Sequence, residues 1–275
     1  MYGAPPRVVR RWKNREKRLM QFASLGSGSE GNGLLVRSCE GTVLIDCGFG
    51  LKACRARMQA LDVDPDSLAA ILVTHEHADH IGGVFRLAVA HRIPVYLTHG
   101  TLHEARVPEA ARDLVRPLVA DQVFELAGLQ VHAVPVPHDA REPVQFVIDS
   151  GKSRLGVLTD LGHGSAHVIR AFQRLDALVL ECNHDPAMLA DNPRYPASLK
   201  KRIGGPFGHL SNQAAADILS QLEPRRLKRL VAAHLSAHNN TPALARAALA
   251  AAMSCAVGDI EVADQAQGLA WSDTR

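Results

Sequence analysis

Aromatic residues are few in this chain of 275: Phe, Tyr and Trp together make up 4%, too few for an extended base-stacking surface. Cysteine is scarce as well. The five present (Cys39, Cys47, Cys54, Cys182, Cys255) form no CxxC pair, and their number is odd. A disulfide framework is thereby excluded and a cysteine-ligated zinc ribbon is not expected; free thiols suit a reducing cytoplasm. No run approaches about 18 apolar residues, and no basic start leads into an apolar segment. Neither a membrane span nor a secretion signal is expected. What the chain does hold is 47% hydrophobic residues, ample for a core, and 14 histidines.

The net charge of +3 is unevenly spread. Residues 1–18 carry seven basic side chains and one acid, two adjacent prolines and no apolar periodicity. They read as a basic, solvated arm, and residues 19–275 as one domain. From Leu19 onward there are 24 basic and 27 acidic residues. The body of the protein is therefore slightly acidic.

Short apolar runs broken by glycine begin at Met20. MQFASLG, NGLLVRS and GTVLIDCG predict three strands, followed by a helix over 51–61 and a buried strand, AAILVTH. IGGVFRLAVAHR predicts a second helix leading to the strand PVYLT. Further strands are expected at QVFEL, LQVHAVPV, VQFVIDS, RLGVLTD, ALVLEC, LKRLVAAH, DIEVAD and GLAW, with helices near 165–174, 211–222 and 241–253. Strands lead, then strand and helix alternate, and the order repeats. The expected class is α/β (α+β): two mixed β-sheets face to face with helices outside.

Gly26, Gly28 and Gly31 satisfy a GxGxxG spacing, but NGLLVRS and GTVLID continue as strands where a dinucleotide site needs a helix. A turn facing a site rim is the better reading, with phosphate contact through backbone amides as a minor one.

His75-Glu-His77-Ala-Asp79-His80 directly follows an apolar strand. In an extended segment the side-chain period is two, so His75, His77 and Asp79 converge, while His80 opens the next turn. Imidazoles packed so closely call for a shared cation. His138, Asp160 and His234 likewise each end an apolar run. Together they make two sets, His75, His77, His138 and Asp79, His80, His234, with Asp160 able to bridge. Nitrogen and oxygen donors suit zinc, manganese or iron.

HEHADH with a later His, Asp and His resembles the metallo-β-lactamase superfamily, which implies an αββα four-layer sandwich and two divalent ions per chain. Asp46 in LIDCG matches that family's early aspartate, which orients the metal loop. SLGSGSEGN, TDLG, ECNHDPAML, YPASLKKRI, GHLSN and AHLSAHNNTP narrow the resemblance to the YycJ/WalJ subgroup. That subgroup implies a 5′-to-3′ DNA exonuclease linked to DNA repair, acting through a hydroxide activated by the ion pair. The stretches from His138 to Asp160 and from Asp160 to His209 are too short for the RNA-gripping arm of tRNase Z and the inserted β-CASP domain.

The resemblance gives His209 the role of general acid and Asp79 that of ligand and orienting group. Glu181 or Asp185 could hold the His209 tautomer, and His184 is an alternative proton carrier. A small-molecule phosphodiesterase and a thioester or lactone hydrolase are the competing activities on the same ions. DNA is the expected partner, with basic clusters at Lys200, Lys201, Arg202 and at Arg225, Arg226, Lys228, Arg229 able to follow a backbone. No membrane and no obligate protein partner is implied. His163, His184 and His238 sit beside motif residues, and His91, His99, His103, His132 and His167 have no assigned role.

Overall fold

The computed structural model describes residues 20–275, so the basic segment 1–18 lies outside the described residues. The chain lays down β1 (Gln21–Gly26), β2 (Gly33–Arg37), β3 (Thr42–Ile45), α1 (Leu51–Ala60) and β4 (Leu68–Leu72). It continues through α2 (Ala78–Ile81), α3 (Val84–His91), β5 (Val95–Thr98), α4 (His99–Glu104) and β6 (Val115–Leu118). The second half holds β7 (Val123–Leu126), β8 (Leu129–Pro135), β9 (Val144–Asp149), β10 (Arg154–Leu158), α5 (Ala166–Ala171) and β11 (Ala177–Glu181). Then come α6 (Pro186–Asp191), α7 (Ala197–Ile203), α8 (Asn212–Gln221), β12 (Arg229–Ala233), α9 (Pro242–Met253), β13 (Glu261–Val262) and β14 (Leu269–Asp273).

Two seven-stranded sheets result, ordered β14-β1-β2-β3-β4-β5-β6 and β13-β12-β11-β10-β9-β8-β7. Period-two patterning explains how they stack. On β9, Val144, Phe146 and Ile148 point into the layer between the sheets, whereas Val147 points outward into the cluster beneath α5, α8 and α9. The outer face of the first sheet is covered by α1 and α3 through Cys54, Met58, Val84, Phe85, Leu87 and Ala88. The layers are helix, sheet, sheet, helix.

Both sheets are mixed. Antiparallel pairs open each half, and parallel pairs follow from β3 to β6 and from β10 to β13. The carboxyl ends of the parallel strands therefore gather at one edge, where open α/β sheets place their ligands. The expected strands are found within a few residues.

One helix differs from expectation. IGGVFRLAVAHR is not continuous, because α2 ends and α3 begins around Gly82 and Gly83. The Gly83 amide donates to the Cys47 carbonyl (2.7 Å), and a Cβ there would stand 1.8 Å from the Phe49 carbonyl oxygen. Close backbone approach thus breaks the helix. The strand β6 and the helices α4, α6 and α7 carry no clear periodicity in sequence; all are seven residues or shorter.

Candidate metal centre

Asp46 follows β3, His75 to His80 follow β4, His138 follows β8, Asp160 follows β10, Glu181 ends β11 and His234 follows β12. Their side chains meet at the common edge. Ligand atoms of His75, His77 and His138 lie within 4.8 Å of one another, as do those of Asp79, His80 and His234. Asp160 joins His75 and His80 in a third such group, which puts it between the two sets. Asp46, Asp160 and His234 hold left-handed backbone (φ of 59°, 52° and 55°), a conformation costing about 1–3 kcal/mol for a residue with a side chain.

Hydrogen bonds fix which imidazole nitrogen faces inward. The Thr74 hydroxyl donates to Asp46 Oδ2 (2.7 Å), so its oxygen accepts from His75 Nδ1 (2.9 Å). His75 Nε2 is then a buried lone pair without a partner. His80 Nδ1 donates to Asp46 Oδ2 (2.8 Å), turning its Nε2 toward Asp160 Oδ2 at 3.2 Å. His138 Nδ1 donates to the Gly208 carbonyl (3.0 Å), leaving Nε2 opposite His77 Nδ1 at 3.3 Å. Buried acceptors aimed at one another are unstable unless a cation lies between them. Asp160 Oδ2, buried and faced by His80 Nε2, makes the same point. The donor set fits divalent metal ions.

Without an ion, protons take its place. Burial is the largest single influence and works against charge on His80 and His234, but the surrounding carboxylates together overcome it: Asp160 and Asp46 at His80, and Asp160, Asp79 and Glu181 at His234. Both imidazoles are raised, His234 to about 10. His75 and His138 go the other way, pushed down chiefly by burial.

His209 stands beside this cluster, with ring centroids 5.3 Å from both His138 and His234. Its Nδ1 donates to Glu181 Oε1 (2.7 Å). Glu181 is fully buried and also accepts from the amides of Leu161 and Leu210 (3.2 and 3.0 Å) and from His234 Nδ1 (3.1 Å). Burial alone would raise its carboxyl, yet His209 and His234 lower it to about 2. Burial likewise opposes a charged His209, and Glu181 followed by Asp160 raises it.

Other expected residues fall elsewhere. Asp185 caps α6 through the amides of Ala187 and Met188 rather than holding His209. His184 is buried against Gly204, its Nδ1 has no partner, and burial lowers its pKa. The amides of Ser27, Gly28, Glu30 and Gly31 all donate within the protein, so the glycine turn offers them to no phosphate. His91 bridges Arg55 and Asp66, and His132 and His167 both donate to Asp121, as surface contacts.

Sequence reasoning missed Thr74, the relay between Asp46 and His75, and Asn32. Asn32 Nδ2 reaches Asp79 Oδ2 (3.3 Å) and His80 Nε2 (3.1 Å), and its amide donates to the Asp79 carbonyl (2.8 Å). Gly48 completes this packing, since a Cβ there would stand 1.9 Å from that carbonyl oxygen.

Residues 41–235 match the family model of the beta-lactamase superfamily domain. The chain is 34% identical to exodeoxyribonuclease YycJ of Bacillus anthracis, over 82% of this chain and 86% of that protein. It is 29% identical to exodeoxyribonuclease WalJ of Streptococcus pneumoniae, over 82% and 85%. The metallo-β-lactamase fold protein YhfI of Bacillus subtilis superposes with a TM-score of 0.71 at 18% identity, over 93% of this chain and all of that one. Sheet order, edge cluster and sequence likeness agree: the chain belongs to the metallo-β-lactamase superfamily, in the YycJ/WalJ branch.

Proposed function

We propose that this protein is a metal-dependent phosphodiester hydrolase acting as an exonuclease on DNA. Its similarity to two exodeoxyribonucleases supports the substrate class, and the resemblance of the motifs implies 5′-to-3′ direction. The observation that carries the reading is His209, held on Glu181 between the two ligand sets. An alkoxide leaving from phosphorus needs a proton, whereas a thiolate does not.

In this reading His75, His77 and His138 would hold one ion and Asp79, His80 and His234 the other, with Asp160 placed between the two sets. Divalent ions bound there acidify a water and offset charge developing on the phosphodiester. Zinc or manganese suits the nitrogen and oxygen donors, and iron is also compatible.

The chain's own groups do the rest. Asp46 fixes His80, and through Thr74 it fixes His75. Asp79, with a quarter of its side chain open to solvent, orients the attacking water. Glu181 holds Nδ1 of His209 so that Nε2 presents the proton to the leaving oxygen. A role in DNA repair and a cytoplasmic setting fit this activity and the five free cysteines. Among the described residues no helix is long and apolar enough to cross a membrane.

The test is incubation of metal-reconstituted protein with end-labelled single- and double-stranded DNA, bis-p-nitrophenyl phosphate and a thioester. Metal-dependent shortening of DNA from one end is expected. Turnover of the thioester alone would overturn the reading.

A further inference from the structure

Of the Phe, Tyr and Trp rings among the described residues, Phe207 alone is exposed, at 56%. Every other Phe in this chain is buried, and a single exposed ring is ordinary in itself; what singles this one out is where it stands. That position is the rim of the metal centre. The Phe207 carbonyl accepts from the Asp139 amide (2.9 Å), and the next carbonyl, of Gly208, accepts from the ligand His138 (3.0 Å). On the other side the Pro206 carbonyl accepts from His163 Nδ1 (2.9 Å). The Gly208 amide donates to Gly205, and the His209 amide to Ile203. The loop is therefore tied down at every step while the ring itself projects outward.

Basic residues of α7 precede it in the chain. Lys201 is exposed in the last turn of α7, and Arg202, with 62% of its side chain exposed, bonds Asp139 at 2.6 Å. A rigidly mounted ring that follows basic residues in the chain, next to a centre for phosphodiesters, matches the two needs of a single strand: a stacking face and a neutralised backbone.

Resting on the nuclease reading above, we propose that Phe207 is a positioning residue that stacks on the base of the nucleotide at the scissile end of an unpaired DNA strand. One ring serves one base. The scarcity of aromatics then means a protein that grips the terminal nucleotide by its π-face and the rest of the strand by its phosphates. Stacking on a π-face tolerates every base, so cleavage is indifferent to sequence.

The test compares kcat/KM on end-labelled single strands that are intact or abasic at the 5′ or the 3′ terminal nucleotide, using metal-loaded protein. Wild type is expected to prefer the intact end by roughly 5- to 150-fold, the range of one base–aromatic stack. Phe207→Ala should bring this preference toward unity, and Phe207→Trp should restore it. A wild type indifferent to the terminal base, or a Phe207→Ala variant that keeps the preference, overturns the proposal. A change in oligomeric state in Phe207→Ala with the preference intact assigns the ring to a contact between copies and also overturns it. Absence of DNA turnover by the wild type overturns the nuclease reading, and this inference with it.

Discussion

Asp46 belongs to neither candidate ligand set, yet it sets the orientation of two candidate ligands. Oδ2 accepts from both His80 Nδ1 and the Thr74 hydroxyl, and Oδ1 accepts from the Thr74 amide at 2.8 Å. Outer contacts of this kind change metal affinity by about 10–100-fold. Asp46→Ala is expected to weaken metal binding by that factor in competition with a chelator, with the protein still folded. A second expectation follows from protonation. His80 and His234 keep protons above the usual imidazole range when no ion is bound. An arriving ion must displace them, so affinity rises as pH rises through neutrality toward the raised values and falls as pH falls. Calorimetry in buffers of different ionisation enthalpy should report release of about two protons per chain at neutral pH. Heat independent of the buffer would contradict this.

At the scale of elements, the layer between the sheets sets the precision of the edge. Phe146 on β9 is fully buried in it, among Val131, Ala133, Val157 and Val179. Phe146→Ala should cost about 3–5 kcal/mol, measured as a lower denaturant midpoint. The strands were readable in the sequence because their apolar runs are bounded by glycine and polar turns. The ligand candidates were readable because each stands directly after such a run. Asn32 and Thr74 were not. Asn32 lies 48 residues from His80, and a contact over that distance exists only once β2, β3 and β4 have paired. The helices α4 and α6 carry no sequence periodicity for a related reason, since the side-chain caps of Thr98 and Asp185 start them where periodicity does not. The split of α2 from α3 is legible only in hindsight, from the paired glycines.

Across the whole molecule, charge is divided by the sheet. Lys200, Lys201 and Arg202 lie on the rim of the centre, in α7. Arg226, Lys228 and Arg229 lie at the start of β12, whose far end carries His234, roughly 17 Å away at about 3.3 Å per residue. There Arg226 pairs with Asp176 and Arg229 with Glu261. The second cluster therefore does not border the site, and of the two it is the first that adjoins the candidate ligands. Lys201→Ala should reduce the slope of log affinity against log salt by about 0.7 for single-stranded DNA, while Lys228→Ala should leave the slope as it was. Titrations at several salt concentrations separate the two.

The proposed cleavage of DNA turns on a proton delivered by His209. The decisive measurement is kcat for wild type and His209→Ala, at equal metal content, on DNA and on bis-p-nitrophenyl phosphate. Nitrophenolate departs without a proton; the alkoxide of DNA does not. The variant is expected to retain its metal and to lose about 10²–10⁴-fold on DNA, but less than about tenfold on the nitrophenyl ester. Equal losses on both substrates, or a wild-type rate on DNA, would contradict it.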